Sequence, residues 1–268
     1  VCVIEGPAGC GKTALLDELW RALPSLCLER TWIEPCVHAA PPSALLATFA
    51  PASGAPGVAI CDGWDERNGD LTTLFPTAPD PNRDVVFVVA GRAPLTAVSL
   101  PGRLVERVAL GPLGPHEIDA WLARFAFDRR ERAVLAARTY GDPLALALAV
   151  DVDGLAGTVR IPPAGSEIVE ALSAQLIGAC RRATTRLALF ALALSSPLST
   201  SGLASVMGTE DVSEIVSWLE RLAIVRRTPD GLAIPRTVGS YLVRDAGPED
   251  GLLVRFATSR LAALRATG

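Results

Sequence analysis

The chain has 268 residues, half of them hydrophobic, and a formal net charge of −4 at pH 7. That is enough apolar sequence for one large or two modest cores, and it excludes a disordered chain or a fibrous repeat. The longest apolar stretches, such as residues 187–194, reach less than half of the roughly 20 residues that span a bilayer, so no membrane association is expected.

No block of like charge is present, so bulk electrostatics give no case for nucleic acid. The six cysteines (Cys2, Cys10, Cys27, Cys36, Cys61, Cys180) form no C-x-x-C pair and only two histidines accompany them. Neither a zinc site nor a disulfide framework is signalled, and buried thiols in a reducing cytoplasm are expected. The chain enters a strand-like run at Val1, with no leader-like segment, which reads as a domain cut from a longer polypeptide or a chain missing its N-terminus. Of 25 basic residues, 24 are arginine and one is lysine, Lys12. An otherwise complete replacement of lysine by arginine marks the one position where arginine does not serve.

In chain order, apolar runs bounded by turn residues predict buried strands at 1–4, 27–33, 58–61, 85–90 and 104–110. Helix-like or loop segments lie between them, the pattern of a parallel sheet covered on both faces. Residues 75–84 are Pro-rich and predict a loop. After residue 110, apolar residues at three and four spacing predict helices over 115–125, 129–140 and 143–150, with Pro115 and Asp142-Pro143 at helix starts. Residues 151–165 read as a linker by their Gly and Pro content. Helices follow near 166–180, 184–194, 201–206 and 212–222, then short strands at 223–227 and 232–234 joined by Thr228-Pro229-Asp230-Gly231. Three helices and a hairpin make a winged helix. Helices near 238–244 and 249–265 close the chain.

Gly6-Pro7-Ala8-Gly9-Cys10-Gly11-Lys12-Thr13 fits G-x-x-x-x-G-K-[ST] and stands where that motif must, after an apolar strand and before a helix that begins at Ala14. The glycines let the backbone curl so that its N–H groups face phosphate oxygens. The helix start adds its positive end, Lys12 reaches the terminal phosphates and Thr13 offers a hydroxyl to Mg²⁺. A guanidinium is too broad for such a cradle, which accounts for the lone lysine. The alternative, a Gly-rich turn with no ligand, leaves that lysine unexplained.

Residues 58–66 form a strand ending in acids. Asp62 is placed to hold Mg²⁺ through water beside the phosphate loop, and Glu66, with Asp65 as rival, to orient or deprotonate attacking water. Arg92 follows the strand 85–90 at its carboxyl end, where ligands of open α/β sheets collect, and is placed to meet the γ-phosphate. A solvated loop and a solvated arginine are the structural alternatives.

These residues together resemble the signal-transduction ATPases with numerous domains (STAND), which include NACHT proteins, apoptotic and plant-resistance ATPases and large LuxR-type regulators. The matching segments are GPAGCGKT, the DGWDE strand end, the strand with Arg92, and Gly141-Asp142-Pro143-Leu144, similar to the family's G-x-P motif. The resemblance implies an α/β P-loop NTPase domain at 1–110, a small helical domain at 111–152 and an all-α winged-helix domain with C-terminal helices at 166–268. It further implies an ATP/ADP switch with Mg²⁺, slow hydrolysis, self-association in the ATP state, and sensor or effector domains outside this chain. Pro143 is then expected near the adenine. Where the family places a histidine on the ADP phosphate, this chain has Pro235, with Arg236 beside it as the substitute. Two other readings stay open: a non-hydrolysing scaffold, and the ATPase core of a LuxR-type transcription regulator whose DNA-binding domain lies elsewhere.

Direct DNA binding by the winged helix is not expected. Residues 166–268 hold 11 Arg against 10 Asp plus Glu, and the would-be reading helix carries Glu210, Asp211, Glu214 and Glu220 with only Arg221 against them. A helix that enters the major groove should be cationic. The tryptophans are read as core, with Trp64 singled out for its place in the acidic cluster.

Overall fold

The computed structural model describes residues 1–26, 29–33, 56–64, 85–92, 104–160, 168–228 and 230–245. The chain separates into two compact units, Val1–Gly111 and Pro112–Gly268.

The first unit is built on a parallel sheet of five strands: β1 (Cys2–Glu5), β2 (Glu29–Ile33), β3 (Gly57–Trp64), β4 (Val85–Gly91) and β5 (Glu106–Ala109), in the order β2-β3-β4-β1-β5. Helix α1 (Lys12–Ala22) follows β1. Because side chains alternate along a strand, each strand feeds two layers. Ile4, Val58, Ile60, Val88 and Ala90 pack with Leu16 and Leu19 of α1 on one face, while Val3, Ala59, Cys61, Trp64 and Val89 cluster on the other. The strands read at 58–61 and 104–110 change their bounds. The strand read at 58–61 runs on through Trp64, so Asp62 lies inside it, with a register shift between Asp62 and Trp64. The strand read at 27–33 is described from Glu29 to Ile33, residues 27 and 28 lying outside the described residues. The strand read at 104–110 is shorter and exposed at all four positions, because it forms the sheet edge. The loop predicted at 75–84 lies outside the described residues.

The second unit is helical: α2 (Pro115–Leu122), α3 (Arg129–Thr139), α4 (Pro143–Ala156), α5 (Ile168–Ala179), α6 (Ala183–Leu194), α7 (Thr200–Met207), α8 (Ser213–Leu219) and α9 (Arg236–Asp245), with the antiparallel pair β6 (Arg226–Thr228) and β7 (Gly231–Ala233) before α9. Several starts are fixed locally. Pro115 and Pro143 occupy first-turn positions, where a missing N–H costs nothing. Asp128 and Glu131 form a reciprocal capping box, with Glu131 N donating to Asp128 Oδ1 at 2.8 Å and Asp128 N to Glu131 Oε2 at 2.7 Å. Asp142 Oδ1 accepts from Leu144 N at 2.8 Å and caps α4.

The 151–165 linker is corrected by α4, which continues through Asp151 and Val152, both buried, and ends at Gly157 with φ +73. Packing overrides the local Gly content: Leu144, Leu146 and Leu148 are buried in the same helix, each contributing about 1.5–3 kcal/mol of burial. The segments expected as a helical and a winged-helix domain contribute to one apolar core, from Ile118 to Leu242. The strand read at 223–227 begins only at Arg226, because the Ala223 and Ile224 amides are engaged by Asp151. The helix read at 249–265 lies outside the described residues. Among the described residues no helix is long and apolar enough to cross a membrane.

Candidate functional site

The loop between β1 and α1 carries the motif residues Gly6, Pro7, Ala8, Gly9, Cys10 and Gly11. Its glycines are structurally required. A Cβ on Gly6 would meet Cys10 Sγ at 2.5 Å and the Leu110 carbonyl oxygen at 2.6 Å, so only glycine lets the loop leave the sheet beside Leu110. Gly11 stands at φ +94 in the left-handed region and caps α1 by its backbone alone. No side chain caps that helix end and no acid stands in its first turn, so the positive end formed by Lys12, Thr13 and Ala14 is left for an anion. Lys12 Nζ donates to Gly6 O at 2.7 Å and Pro7 O at 2.6 Å, with Cys10 Sγ at 3.6 Å. The ammonium therefore lies within the curl of the loop, where a polyphosphate would replace these acceptors. Thr13 is half-buried at the start of the helix.

Asp62 follows from register and alternation. It pairs with Ala90, Ala90 pairs with Ile4, and Ile4 with Val108, so the four stand level across the sheet. Asp62 is two residues beyond Ile60 and points to the same face as Ile60, Ala90 and Leu16, the face that α1 covers. Two strand spacings put its backbone roughly 10 Å from that of Ile4. The residue is almost wholly buried, at 8% exposure.

Arg92 is exposed and follows Gly91, which is level with both Glu5 and Trp64 at the carboxyl edge of the sheet. Asp65 and Glu66 lie outside the described residues. Trp64 is core, 2% exposed on the face opposite α1, and belongs to the apolar cluster with Val3 and Val89. Pro143 opens α4 and Arg236 opens α9, both in the second unit; Pro143 is half-buried and Arg236 exposed.

Sequence reasoning missed the ion pair at the base of the loop. Arg107 Nη1 donates to Glu5 Oε1 at 2.6 Å, tying the edge strand to the residue before Gly6. The two are 102 positions apart, and only the β1–β5 register brings them together. It also missed Asp151, although a signal exists: 144, 148, 151 and 155 follow helical spacing, which puts an acid on an apolar stripe.

No protein-family model and no curated protein matches the chain. Among solved structures, it is similar to a signal transduction ATPase with numerous domains from Pyrococcus horikoshii, which has a tetratricopeptide repeat sensor. That likeness has a TM-score of 0.62 at 14% identity and covers 98% of this chain and 43% of that one, so the present chain spans less than half the length of that protein. The RuvB Holliday junction branch migration motor of Thermotoga maritima matches at TM-score 0.42 and 18% identity, over 90% of this chain and 86% of that one. Cdc6p from Pyrobaculum aerophilum matches at 0.38 and 15%, over 91% and 87%. The assignment of fold rests on the first of these together with the sheet order and the loop. The chain has the fold of the segment of that Pyrococcus horikoshii protein which it matches, with a five-stranded parallel sheet in its first unit.

Proposed function

We propose that this chain is the nucleotide-binding core of a multidomain regulatory ATPase, taking ATP or ADP with Mg²⁺. The observation that carries the reading is the β1–α1 loop: a glycine-walled curl closed around a lysine ammonium and followed by an uncapped helix start. The loop and helix start from Gly6 to Ala14, through main-chain amides, and the Lys12 ammonium would grip the phosphates, and Thr13 and Asp62 would hold the cation. Bound there, Mg²⁺ supplies charge neutralisation for the phosphates. Glu66, or Asp65, would orient water, and Arg92 would meet the terminal phosphate from the end of β4. Pro143 and Arg236 are assigned to adenine and phosphate contacts of the closed state.

A switch needs only different affinities in its two states, so its hydrolysis is proposed to be slow. Residues 166–268 are proposed to act as a winged-helix module that serves protein packing rather than DNA. Self-association in the ATP state and sensor or effector domains outside this chain complete the proposal. The test is calorimetry of ligand-stripped, folded protein with Mg²⁺ and adenine or guanine triphosphates, followed by phosphate release from the parent and Glu66→Gln. Adenine-nucleotide binding with release lost in the variant supports the switch. Binding with release at background in both leaves the non-hydrolysing scaffold. Silence in every titration overturns the assignment.

A further inference from the structure

The residue before the phosphate loop is an acid. Glu5 ends β1 and adjoins Gly6, whose carbonyl accepts from the Lys12 ammonium at 2.7 Å. One peptide and one hydrogen bond thus lie between the acid and the cation assigned to the phosphates, which puts the carboxylate on the order of 10 Å from the phosphates themselves. An anion so close works against a polyanionic ligand.

The edge strand supplies the counter-charge. Glu5 points to the same face as Val3, two residues earlier, the face opposite α1. Arg107 of β5 is level with Val3 in the parallel register, so its side chain stands on that face too. Arg107 Nη1 donates to Glu5 Oε1 at 2.6 Å, and the Glu5 side chain is only 16% exposed against 38% for Arg107. A carboxylate this sheltered is weakly screened by solvent, so its charge reaches further than that of an acid on the open surface. The main chain repeats the tie. Leu110 N donates to Glu5 O at 2.7 Å, and Leu110 O is an atom that a Cβ on Gly6 would strike. Arg107 and Leu110 therefore meet the chain at Glu5 and Gly6, where it turns into the loop.

We propose that Arg107 is a positioning residue for nucleotide binding, which holds the Glu5 carboxylate on the face opposite α1 and cancels its charge against the phosphates. The inference rests on the reading of the loop as a nucleotide site. Charge and architecture give opposite signs for Glu5. If the pair only braced the sheet, removing either member would weaken binding. If it cancels charge, loss of Arg107 weakens binding and loss of the Glu5 charge tightens it.

The experiment is calorimetry of the whole, ligand-stripped chain with Mg-ATP and Mg-ADP at low ionic strength, on the parent, Arg107→Met, Glu5→Gln and the double variant. Circular dichroism verifies the fold of each. Arg107→Met should weaken Mg-ATP binding by about three- to tenfold, the worth of one charge against two at that distance in a dielectric between those of protein and water. Mg-ADP, with one charge fewer, should lose only the square root of that factor. Glu5→Gln should tighten Mg-ATP binding, and the double variant should return to within about twofold of the parent. The differences should shrink in about 1 M salt, where the Debye length is about 3 Å. Arg21, paired with Glu18 at the far end of α1, is the control, and Arg21→Met should change affinity by less than about twofold. Arg107→Met binding as the parent does, Glu5→Gln binding no tighter than the parent, or a double variant no better than Arg107→Met overturns the proposal. Should Arg107→Met not fold, Glu5→Gln decides by its sign alone. A parent that binds neither nucleotide overturns instead the reading of the loop, and the proposal falls with it.

Discussion

Lys12 and Gly6 are joined by a hydrogen bond of 2.7 Å from ammonium to carbonyl, which folds the only lysine of the chain back into the loop it follows. Among the described residues its ammonium meets only neutral acceptors, which a polyphosphate would displace. Lys12→Ala should weaken Mg-ATP binding by about ten- to a hundredfold, the worth of a charge-assisted hydrogen bond of roughly 1.5–3 kcal/mol. Lys12→Arg should not restore it, because the planar fork does not fit the curl. Calorimetry on both variants, with circular dichroism to verify the fold, is the measurement.

Gly6 and Gly11 should fail differently. Gly6→Ala drives a methyl into the Leu110 carbonyl and Cys10 Sγ, and should cost about 1–3 kcal/mol as overpacking. Gly11→Ala meets no atom within 4 Å and should cost about 1–2 kcal/mol through its left-handed backbone alone. Urea denaturation gives these costs. Nucleotide titration should show the larger loss of affinity for Gly6→Ala, because there the loop itself must move.

In the second unit, Gly141 is another glycine whose side chain its neighbours exclude. A Cβ there would lie 2.2 Å from Leu113 O, at φ +74, while Leu113 N donates to Gly141 O at 2.8 Å. Backbone cannot yield as a side chain tip can. Gly141→Ala should therefore lower stability by about 3 kcal/mol or more, adding left-handed strain to overpacking. A thermal melt followed by helical circular dichroism should show the drop even without nucleotide.

Asp151, buried in α4 with both carboxyl oxygens on backbone amides, should leave a mark on stability. Raised from 3.8 to about 6, its ionisation costs the folded chain at most about 3 kcal/mol. The parent should therefore lose stability between pH 4 and 6 relative to Asp151→Asn, in urea titrations at matched pH. Asp151→Ala should be worse than either at acid pH. It strips the Ala223 and Ile224 amides of their acceptors, at about 1–3 kcal/mol for each buried donor.

Local chemistry made much of the first unit legible. The phosphate loop could be read because its requirements are met by neighbours in sequence: a strand, glycines where a Cβ cannot fit, a lysine and a helix start. The capped starts of α3 and α4 were legible for the same reason, since Asp128 and Asp142 bond to amides two or three residues away. Asp62 was legible as an acid at a strand end. Its placement on the α1 face was not, because that depends on pairing with Ala90 and on the register shift at Gly63.

Where energy depends on distant partners, the sequence by itself misled. Residues 151–156 read as the start of a linker by composition, and they are helix because Asp151 and Val152 are buried among side chains contributed by the rest of the second unit. The strand before the hairpin was read too early because the Ala223 and Ile224 amides are engaged by a carboxylate over seventy residues away. Glu5 and Arg107 gave no hint of each other until β1 and β5 were paired. Sequence alone determined the local propensities and the one loop whose function is local. Burial and long-range hydrogen bonds, which exist only once the chain has closed on itself, decided the rest.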